Sequence, residues 1–203
     1  MPSFSHPRVV QLLVLDVDGV LTDGSIWVGQ DGYELKRFHV RDGLGIKIWQ
    51  RLGYDVAVIS GRSSLAVERR MAELGVKHLY QGIKDKVGCL SELIDRCGVT
   101  LAQVAYIGDD WPDAGVLKRV GYPIVVADAE EGLKSLGAFV TTRRGGEGAV
   151  REAIDHLLMG KGKSEKDREE MGTDGSERAT PKAGLGPGML KRDPDAIFPE
   201  EGR

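Results

Sequence analysis

Residues 9–20 read Val-Val-Gln-Leu-Leu-Val-Leu-Asp-Val-Asp-Gly-Val, an apolar run that ends in two aspartates. A short run so rich in Val and Leu predicts a buried strand. Asp16 and Asp18 are two positions apart, so on an extended backbone their side chains lie on the same side. Two carboxylates this close are costly unless a cation or a shared proton lies between them. The pair therefore indicates a metal, a nucleophile with a general acid, or a simple turn in which Asp side chains bond to their own backbone.

Short apolar runs alternate with amphipathic stretches along most of the chain. The strand-like runs are Val10–Leu15, Asp55–Ile59, His78–Tyr80, Val104–Ile107, Ile124–Val126 and Phe139–Val140. The helix-like stretches are Leu44–Leu52, Ser63–Leu74, Lys84–Cys97, Ala114–Val120, Glu130–Leu136 and Glu147–Leu158. This alternation predicts an α/β fold, a mostly parallel sheet with helices on both faces. Ligands of such folds bind beyond the carboxyl ends of the strands.

One segment interrupts the alternation. Ser25–Val28 and Glu34–Phe38 flank a Gly-Gln-Asp-Gly sequence at 29–32. Asp-Gly between two such runs predicts a β-hairpin. An isolated hairpin is only marginally stable, so one that carries aromatic residues needs a partner, and another subunit is one solution. The aromatic residues are Trp27, Tyr33 and Phe38.

Composition limits the classes of function. The chain has 203 residues and a net charge of -3, which gives no electrostatic basis for binding nucleic acid or an anionic membrane. No apolar run reaches the length of a membrane span, and Met1–Pro7 lacks the apolar core of a signal peptide, so we expect a cytoplasmic protein. We expect one domain over residues 8–159. The segment 160–203 is rich in Gly, Pro and charged residues and is predicted to be a disordered tail.

Two further strand ends carry groups suited to binding an anion. Ser60, Gly61 and Arg62 follow a predicted strand and precede a helix, where a hydroxyl and free N–H groups can bind phosphate. A simple helix cap by Ser60 or Ser63 is the alternative, and it is the favoured interpretation when this segment is taken alone. Lys86 lies near the start of the next helix, where the helix dipole disfavours a cation. Either it is an exposed lysine that tolerates a small penalty, or it reaches a phosphate or the Asp pair, which is the interpretation that we favour.

A second acidic group, Asp109 and Asp110 with Asp113 close behind, follows the strand Val104–Ile107. Asp113 is also a plausible helix cap. If this strand lies beside the strand that precedes Asp16, several carboxylates meet at one place. A group of carboxylates without His or Cys favours a hard cation, and Mg²⁺ is the natural choice. The combined groups suit phosphoryl transfer. Because the chain lacks a GxxxxGK[ST] loop, a carboxylate nucleophile is favoured over nucleotide hydrolysis of that class.

These motifs resemble those of the haloacid dehalogenase (HAD) superfamily of phosphatases. Asp16–Val20 resembles its first motif, Ser60 the second, Lys86 the third, and Gly108–Asp113 the fourth. The resemblance implies a three-layer αβα, Rossmann-like fold and a Mg²⁺ cofactor. It implies that Asp16 is the nucleophile and a metal ligand, and that Asp18 is the general acid and base and binds the metal through its backbone carbonyl. The other implied roles are metal ligation by Asp109, support by Asp110 and Asp113, and phosphate binding by Ser60, Gly61 and Lys86.

The resemblance narrows to the 3-deoxy-D-manno-octulosonate 8-phosphate (KDO 8-phosphate) phosphatase subfamily. It covers about Leu12 to Leu158 and is carried by Asp16–Asp23, Val40–Gly43, His78–Gly82, Val104–Asp110 and Arg143–Glu152. It implies a phosphorylated sugar acid as substrate, no cap domain, and a homotetramer whose hairpins meet at the centre.

The choice of substrate depends on Arg62 and Arg70, which are either substrate-binding residues or surface residues of one helix, and we favour the first interpretation. Arg70 is implied to reach the substrate carboxylate in a neighbouring subunit. A sister group that hydrolyses a nononate 9-phosphate has Glu where this chain has Arg62, which favours the octulosonate. The alternatives are a phosphatase for the nononate or another sugar phosphate, and a non-catalytic oligomerisation module of sialic-acid activation.

Overall fold

A computed structural model of the protein describes residues 4–173. The strands are β1 (Leu12–Leu15), β2 (Trp27–Val28), β3 (Glu34–Leu35), β4 (Asp55–Ile59), β5 (His78–Tyr80), β6 (Val104–Gly108), β7 (Tyr122–Val125) and β8 (Phe139–Val140). The helices are α1 (Val40–Arg51), α2 (Leu65–Leu74), α3 (Lys86–Cys97), α4 (Ala114–Leu117), α5 (Glu131–Lys134), α6 (Ala149–Gly160) and α7 (Glu165–Thr173). The predicted order of elements is confirmed. The largest difference between a predicted and an observed boundary is at the start of α1, which begins at Val40 and not at Leu44. The helix begins there because the His39 ring accepts a hydrogen bond from the Arg41 N–H at 3.2 Å.

Six strands form one parallel sheet in the order β5-β4-β1-β6-β7-β8. Leu15, the last residue of β1, lies opposite Val58 of β4 and Ile107 of β6. All three strands therefore end at the same edge of the sheet. This register brings the residues that follow them, including Asp16, Ser60 and Asp109, to one side of the molecule.

Helices cover both faces of the sheet. All four residues of β1 are buried, as expected for a central parallel strand. In one group of helices, α1 packs against α6 and β4, and α7 packs against α1. In another group, α3 packs against α4, and α4 contacts β6 and β7. The predicted α/β fold with a three-layer arrangement is confirmed.

The β-hairpin is also confirmed, with Trp27 paired to Leu35 and Val28 to Glu34. Between Asp16 and Ser60 the chain forms this hairpin, α1 and the sheet strand β4, and between Ser60 and Lys86 it forms α2 and β5. Neither interval holds a separate domain, so the predicted capless arrangement is present.

The structure differs from the prediction at the start of the tail. Helix α6 continues to Gly160, and α7 forms inside the segment predicted to be disordered. The Ser164 N–H and hydroxyl bond to the Asp167 carboxylate at the start of α7, and Met171 packs against the core. This polar sequence is held by its cap, by the Met171 side chain and by the Arg51 guanidinium, which donates to the Met171 carbonyl. The remainder of that prediction, 174–203, lies outside the described residues.

Within residues 4–173, no helix combines the length and the apolar character that crossing a membrane requires.

Candidate active site

Three carboxylates converge beyond the carboxyl ends of β1 and β6. Asp16 follows β1, Asp109 follows β6, and Asp113 ends a short 3-10 helix, Trp111–Asp113. One carboxylate oxygen from each lies within 4.8 Å of the other two. The parallel pairing of β1 with β6 produces this acid cluster from residues that are far apart in the chain.

Lys86 is inserted into the acid cluster from the first turn of α3. The residue is 5% exposed, so the alternative of an exposed lysine does not apply to it. Its Nζ lies 3.0 Å from Asp16 Oδ1 and 2.7 Å from Asp113 Oδ1. Burial by itself lowers the pKa of this ammonium group, but the two carboxylates outweigh burial and the net pKa is raised. Lys86 therefore remains a cation against the acids.

Asp113 is saturated with hydrogen-bond donors. Its Oδ1 accepts from Lys86 and from the Tyr106 hydroxyl at 2.5 Å. Its Oδ2 accepts from the backbone N–H groups of Asp109 at 3.1 Å and Asp110 at 3.5 Å. A carboxylate has about four lone-pair sites. Asp113 thus orients Lys86 and the turn that carries Asp109, with little acceptor capacity left for another ligand.

Asp109, in contrast to Asp113, has a carboxylate oxygen that accepts no hydrogen bond. Its Oδ1 is buried with no hydrogen-bond partner. Burial, with the Asp16 and Asp113 charges next, raises the pKa of Asp109 to about 8. Burial and then Asp113 raise the pKa of Asp16 to about 6, while Lys86 opposes the change. Within residues 4–173, the three carboxylates share the single cation Lys86, and Asp109 keeps an unpaired buried oxygen. A hard divalent cation such as Mg²⁺ fits this donor set.

The turn after Asp18 is held in place by a distant loop. Gly19 has a φ of +89°, and a β-carbon there would stand 2.5 Å from Cγ of Asp109, so the turn requires glycine. The Gly146 N–H donates to the Val20 carbonyl at 3.0 Å. A β-carbon on Gly145 would stand 2.5 Å from the carbonyl carbon of Gly19. The backbones of the two loops thus pack in direct contact.

The Asp18 carboxylate does not belong to the acid cluster and pairs with two cations instead. Its Oδ1 pairs with Lys36, and its Oδ2 lies 3.5 Å from Nε of Arg62. Glu34 links the same two cations, at 3.3 Å from Lys36 and 2.6 Å from Arg62. The metal role expected for Asp18 concerns its backbone carbonyl, and its carboxylate takes no part in the group of three. No motif of the sequence marks Lys36 or Glu34, although the two lie two positions apart in the predicted run Glu34–Phe38, and alternate side chains of an extended run lie on one side.

Ser60 and Gly61 lie in the connection between β4 and α2. Ser60 is 2% exposed, and its Oγ accepts from the Arg62 N–H at 3.2 Å. It does not cap α2, whose N-cap position is Ser64. The cap interpretation of Ser60 is therefore wrong, and its hydroxyl lies in a local turn at the end of the sheet where Asp16 lies.

Two other predicted residues lie outside the acid cluster. Arg70 pairs with Glu73 of its own helix at 2.7 Å and lines a groove of about 630 Å³ between the hairpin and α2, which Lys36 also lines. Asp110 is exposed, and its Oδ1 accepts from the Trp111 N–H at 2.7 Å as the cap of the 3-10 helix.

Comparison with known proteins places this site in a family. Residues 40–121 match the model of the haloacid dehalogenase-like hydrolases. The chain is 47% identical over 154 residues to the 3-deoxy-D-manno-octulosonate 8-phosphate phosphatase KdsC of Escherichia coli strain K12, a match that covers 76% of this chain and 82% of that protein. The crystal structure of the Yersinia pestis phosphatase of the same name is 44% identical, with a TM-score of 0.77 over 78% of this chain and 85% of that one. The Moraxella catarrhalis phosphatase, solved with magnesium, phosphate and KDO, is 40% identical, with a TM-score of 0.75 over 76% and 89% of the two chains.

Proposed function

The chain belongs to the haloacid dehalogenase-like hydrolases, in their KDO 8-phosphate phosphatase subfamily, and we propose that it is a Mg²⁺-dependent phosphatase that hydrolyses KDO 8-phosphate to KDO and phosphate. The observation that carries the proposal is the acid cluster with Lys86 against it and an unpaired oxygen on Asp109. The Moraxella structure, which contains magnesium, phosphate and KDO, supports the choice of cofactor and substrate.

In the first step, an oxygen of Asp16 attacks phosphorus and the bond from phosphorus to the sugar oxygen breaks. Asp18 donates a proton to that oxygen, so KDO leaves as an alcohol. Lys86, the Ser60 hydroxyl and the Gly61 N–H hold the phosphoryl oxygens. The product on the enzyme is an aspartyl phosphate at Asp16. Mg²⁺, held by Asp16, Asp109 and the Asp18 carbonyl, supplies neutralisation of the negative charge on these groups.

In the second step, water hydrolyses the aspartyl phosphate. Asp18 lost its proton in the first step and now accepts one from the attacking water. The bond from phosphorus to Asp16 breaks, phosphate leaves, and the Asp16 carboxylate is restored. Asp113 and Tyr106 keep Lys86 and the Asp109 turn in place through both steps. Asp110 supports the same turn as its cap.

The substrate carboxylate is proposed to bind arginine. Arg62 lies beside Asp18 with 46% of its side chain exposed, and Arg70 lines the adjacent groove. A guanidinium group binds a carboxylate through two parallel hydrogen bonds, which suits a sugar acid. The cytoplasmic location expected from the sequence stays a prediction.

We also propose that the protein is a homotetramer assembled through its hairpins. The hairpin exposes Trp27 by 63%, Val28 by 67% and Tyr33 by 61%. Contiguous exposed apolar residues of this kind are typical of a protein interface. An open, capless site also gains cover from a neighbouring subunit.

Phosphate release from a panel of sugar phosphates tests the substrate. We expect KDO 8-phosphate to have the highest kcat/KM, and chelation to stop turnover until Mg²⁺ is restored. A higher kcat/KM for a nononate 9-phosphate would identify the protein as a nononate 9-phosphate phosphatase instead. If the protein releases no phosphate from any ester in the presence of Mg²⁺, the result would support a non-catalytic oligomerisation module instead.

Asp16→Asn tests the nucleophile. The amide keeps the size of the side chain but cannot attack phosphorus, so we expect turnover to be abolished while the thermal melting temperature stays near that of the wild type. Wild-type turnover in a contamination-free preparation of this variant would contradict the aspartyl-phosphate mechanism.

A further inference from the structure

We propose that Lys36, on the hairpin, is a positioning residue that holds the Asp18 carboxylate in place for proton transfer to the leaving sugar oxygen. The inference rests on the proposed function, because it assigns Lys36 to the acid step of that mechanism. It adds a residue from an element outside the sheet, and one that no motif of the sequence selects.

The side chain of Lys36 is buried although the hairpin protrudes. Its side chain is 1% exposed, whereas that of its neighbour Arg37 is 60% exposed. A buried ammonium group is costly unless it is paired and hydrogen-bonded. Its partners are Asp18 Oδ1 and, at 3.3 Å, Glu34 Oε1. The pairing with Asp18 is thus built into the packing of the hairpin against the turn after β1.

Four alternating charges form a closed ring around Asp18. Lys36 pairs with Asp18 and Glu34, and Arg62 pairs with the same two acids at 3.5 Å and 2.6 Å. Burial raises the pKa of Glu34, but hydrogen bonds from Ser64, Arg62 and Lys36 outweigh burial and lower its pKa overall. Glu34 therefore remains an anion, and it shares both cations with Asp18. With Asp18 ionised, which is its state after it has protonated the leaving oxygen, the ring carries no net charge.

The ring fixes where the Asp18 carboxylate can be. Each of its oxygens faces a cation, Oδ1 facing Lys36 and Oδ2 facing Arg62, and the carboxylate does not belong to the acid cluster. Arg62 comes from the connection after β4 and is half exposed, so it is free to turn toward a substrate. Lys36 is buried and has no such freedom, which makes it the fixed member of the ring. A misplacement of about 1 Å in such a group costs roughly 100-fold in rate.

The test compares two leaving groups in the variants Lys36→Met and Lys36→Arg. KDO 8-phosphate releases an alkoxide, which needs a proton, while p-nitrophenyl phosphate releases a stable phenolate, which does not. For K36M we expect kcat/KM to fall about 10- to 100-fold with KDO 8-phosphate and less than about 3-fold with p-nitrophenyl phosphate. K36R retains the cation, so we expect it to recover part of the loss.

Two controls separate positioning from folding. Arg37→Gln removes the exposed cation next along the chain and should leave both kcat/KM values at the wild-type level. Asp18→Asn should show the same selective loss as K36M, only larger. If K36M does not fold, as judged by its melting transition, Lys36→Gln replaces it, because the amide keeps a donor without the charge.

The outcomes are distinct. Equal losses on both esters in the folded Lys36 variants, or no loss on either, would overturn the positioning role. A selective loss in D18N but not in the Lys36 variants would also overturn it. Absence of the selective loss in D18N itself would reject Asp18 as the acid. If the wild type hydrolyses p-nitrophenyl phosphate but not KDO 8-phosphate, the proposed substrate is wrong, and the comparison is made with the best alkyl phosphate of the panel.

Discussion

Asp109 has the least support of the three acids in the acid cluster. Asp16 contacts Lys86, and Asp113 accepts four hydrogen bonds. Asp109 Oδ1 is buried without a partner, and its pKa is raised to about 8, first by burial and then by Asp16 and Asp113. The folded chain by itself therefore favours the protonated form of Asp109, and the ionised form needs a cation.

This shift gives a pH dependence of stability with a definite sign. An Asp side chain has an ordinary pKa of 3.8, so it ionises in the unfolded chain above about pH 4 but in the folded, metal-free protein only near pH 8. The unfolded state then binds fewer protons across that window, and the free energy of unfolding falls as pH rises through it. Asp109→Asn removes this contribution. We expect the metal-free variant to be more stable than the wild type at pH 8, by at least about 1 kcal/mol.

Chemical denaturation between pH 4 and pH 8 in a chelator measures both proteins. Added Mg²⁺ at pH 8 should raise the melting temperature of the wild type and leave that of D109N nearly unchanged. If the free energy of unfolding changed with pH in the same way in both proteins, Asp109 would not be the source of the pH dependence.

At the scale of elements, the loop between β8 and α6 determines the shape of the turn that follows β1. Gly145 donates its N–H to Asp128 Oδ1 at 2.9 Å, and Gly146 donates to Val20. The sheet sets the direction of β1, but this contact sets where the chain goes after Asp18. The placement of Asp16 and Asp18 therefore depends on a loop that contributes no reacting group.

Gly145→Ala tests this dependence. The new methyl group would collide with the backbone of Gly19, so one loop must move. We expect kcat to fall at least about 10-fold and stability to fall by about 1–3 kcal/mol. Steady-state kinetics and denaturant unfolding measure the two effects.

Gly172→Ala in α7 is the matched control. Its β-carbon would have ordinary contact with Ile48 at 3.7 Å, and alanine favours a helix, so activity should not change. Wild-type kcat in G145A would contradict the role given to the loop.

At the scale of the whole molecule, the hairpin links the proposed assembly to the proposed chemistry. Trp27 and Val28 on β2 face solvent in the single chain, while Lys36, just after β3, reaches Asp18. A hairpin of two-residue strands is weakly held by its own pairing. Contact with other subunits would stabilise the hairpin and would therefore also stabilise the position of Lys36.

The double substitution Trp27→Glu and Val28→Glu tests the assembly. Charges in an apolar interface are costly, so we expect a folded monomer in place of a tetramer, and lower turnover of KDO 8-phosphate. Light scattering at micromolar concentration gives the mass. Met159→Glu, at another exposed apolar position, should leave the mass unchanged. A wild-type chain that is itself a monomer would remove the tetramer proposal.

Local patterns in the sequence are enough to predict the alternating α/β fold, the hairpin and the edge of the sheet at which the acids collect. Runs such as Leu12–Leu15 have the apolar pattern of buried strands, and Asp-Gly at 31–32 specifies a tight turn. These are local properties, because burial pattern and backbone preference act over a few residues. Once strands are parallel and neighbouring, the position of Asp16 relative to Asp109 follows from their common direction.

The packing of the elements sets which side chains meet at that edge. It placed Asp113, rather than the Asp18 carboxylate, with Asp16 and Asp109, and it brought Lys36 to Asp18 from 18 positions along the chain. It also ordered α7 through Met171. No local pattern specifies such contacts, because they depend on how whole elements pack and on which charges can be paired once water is excluded.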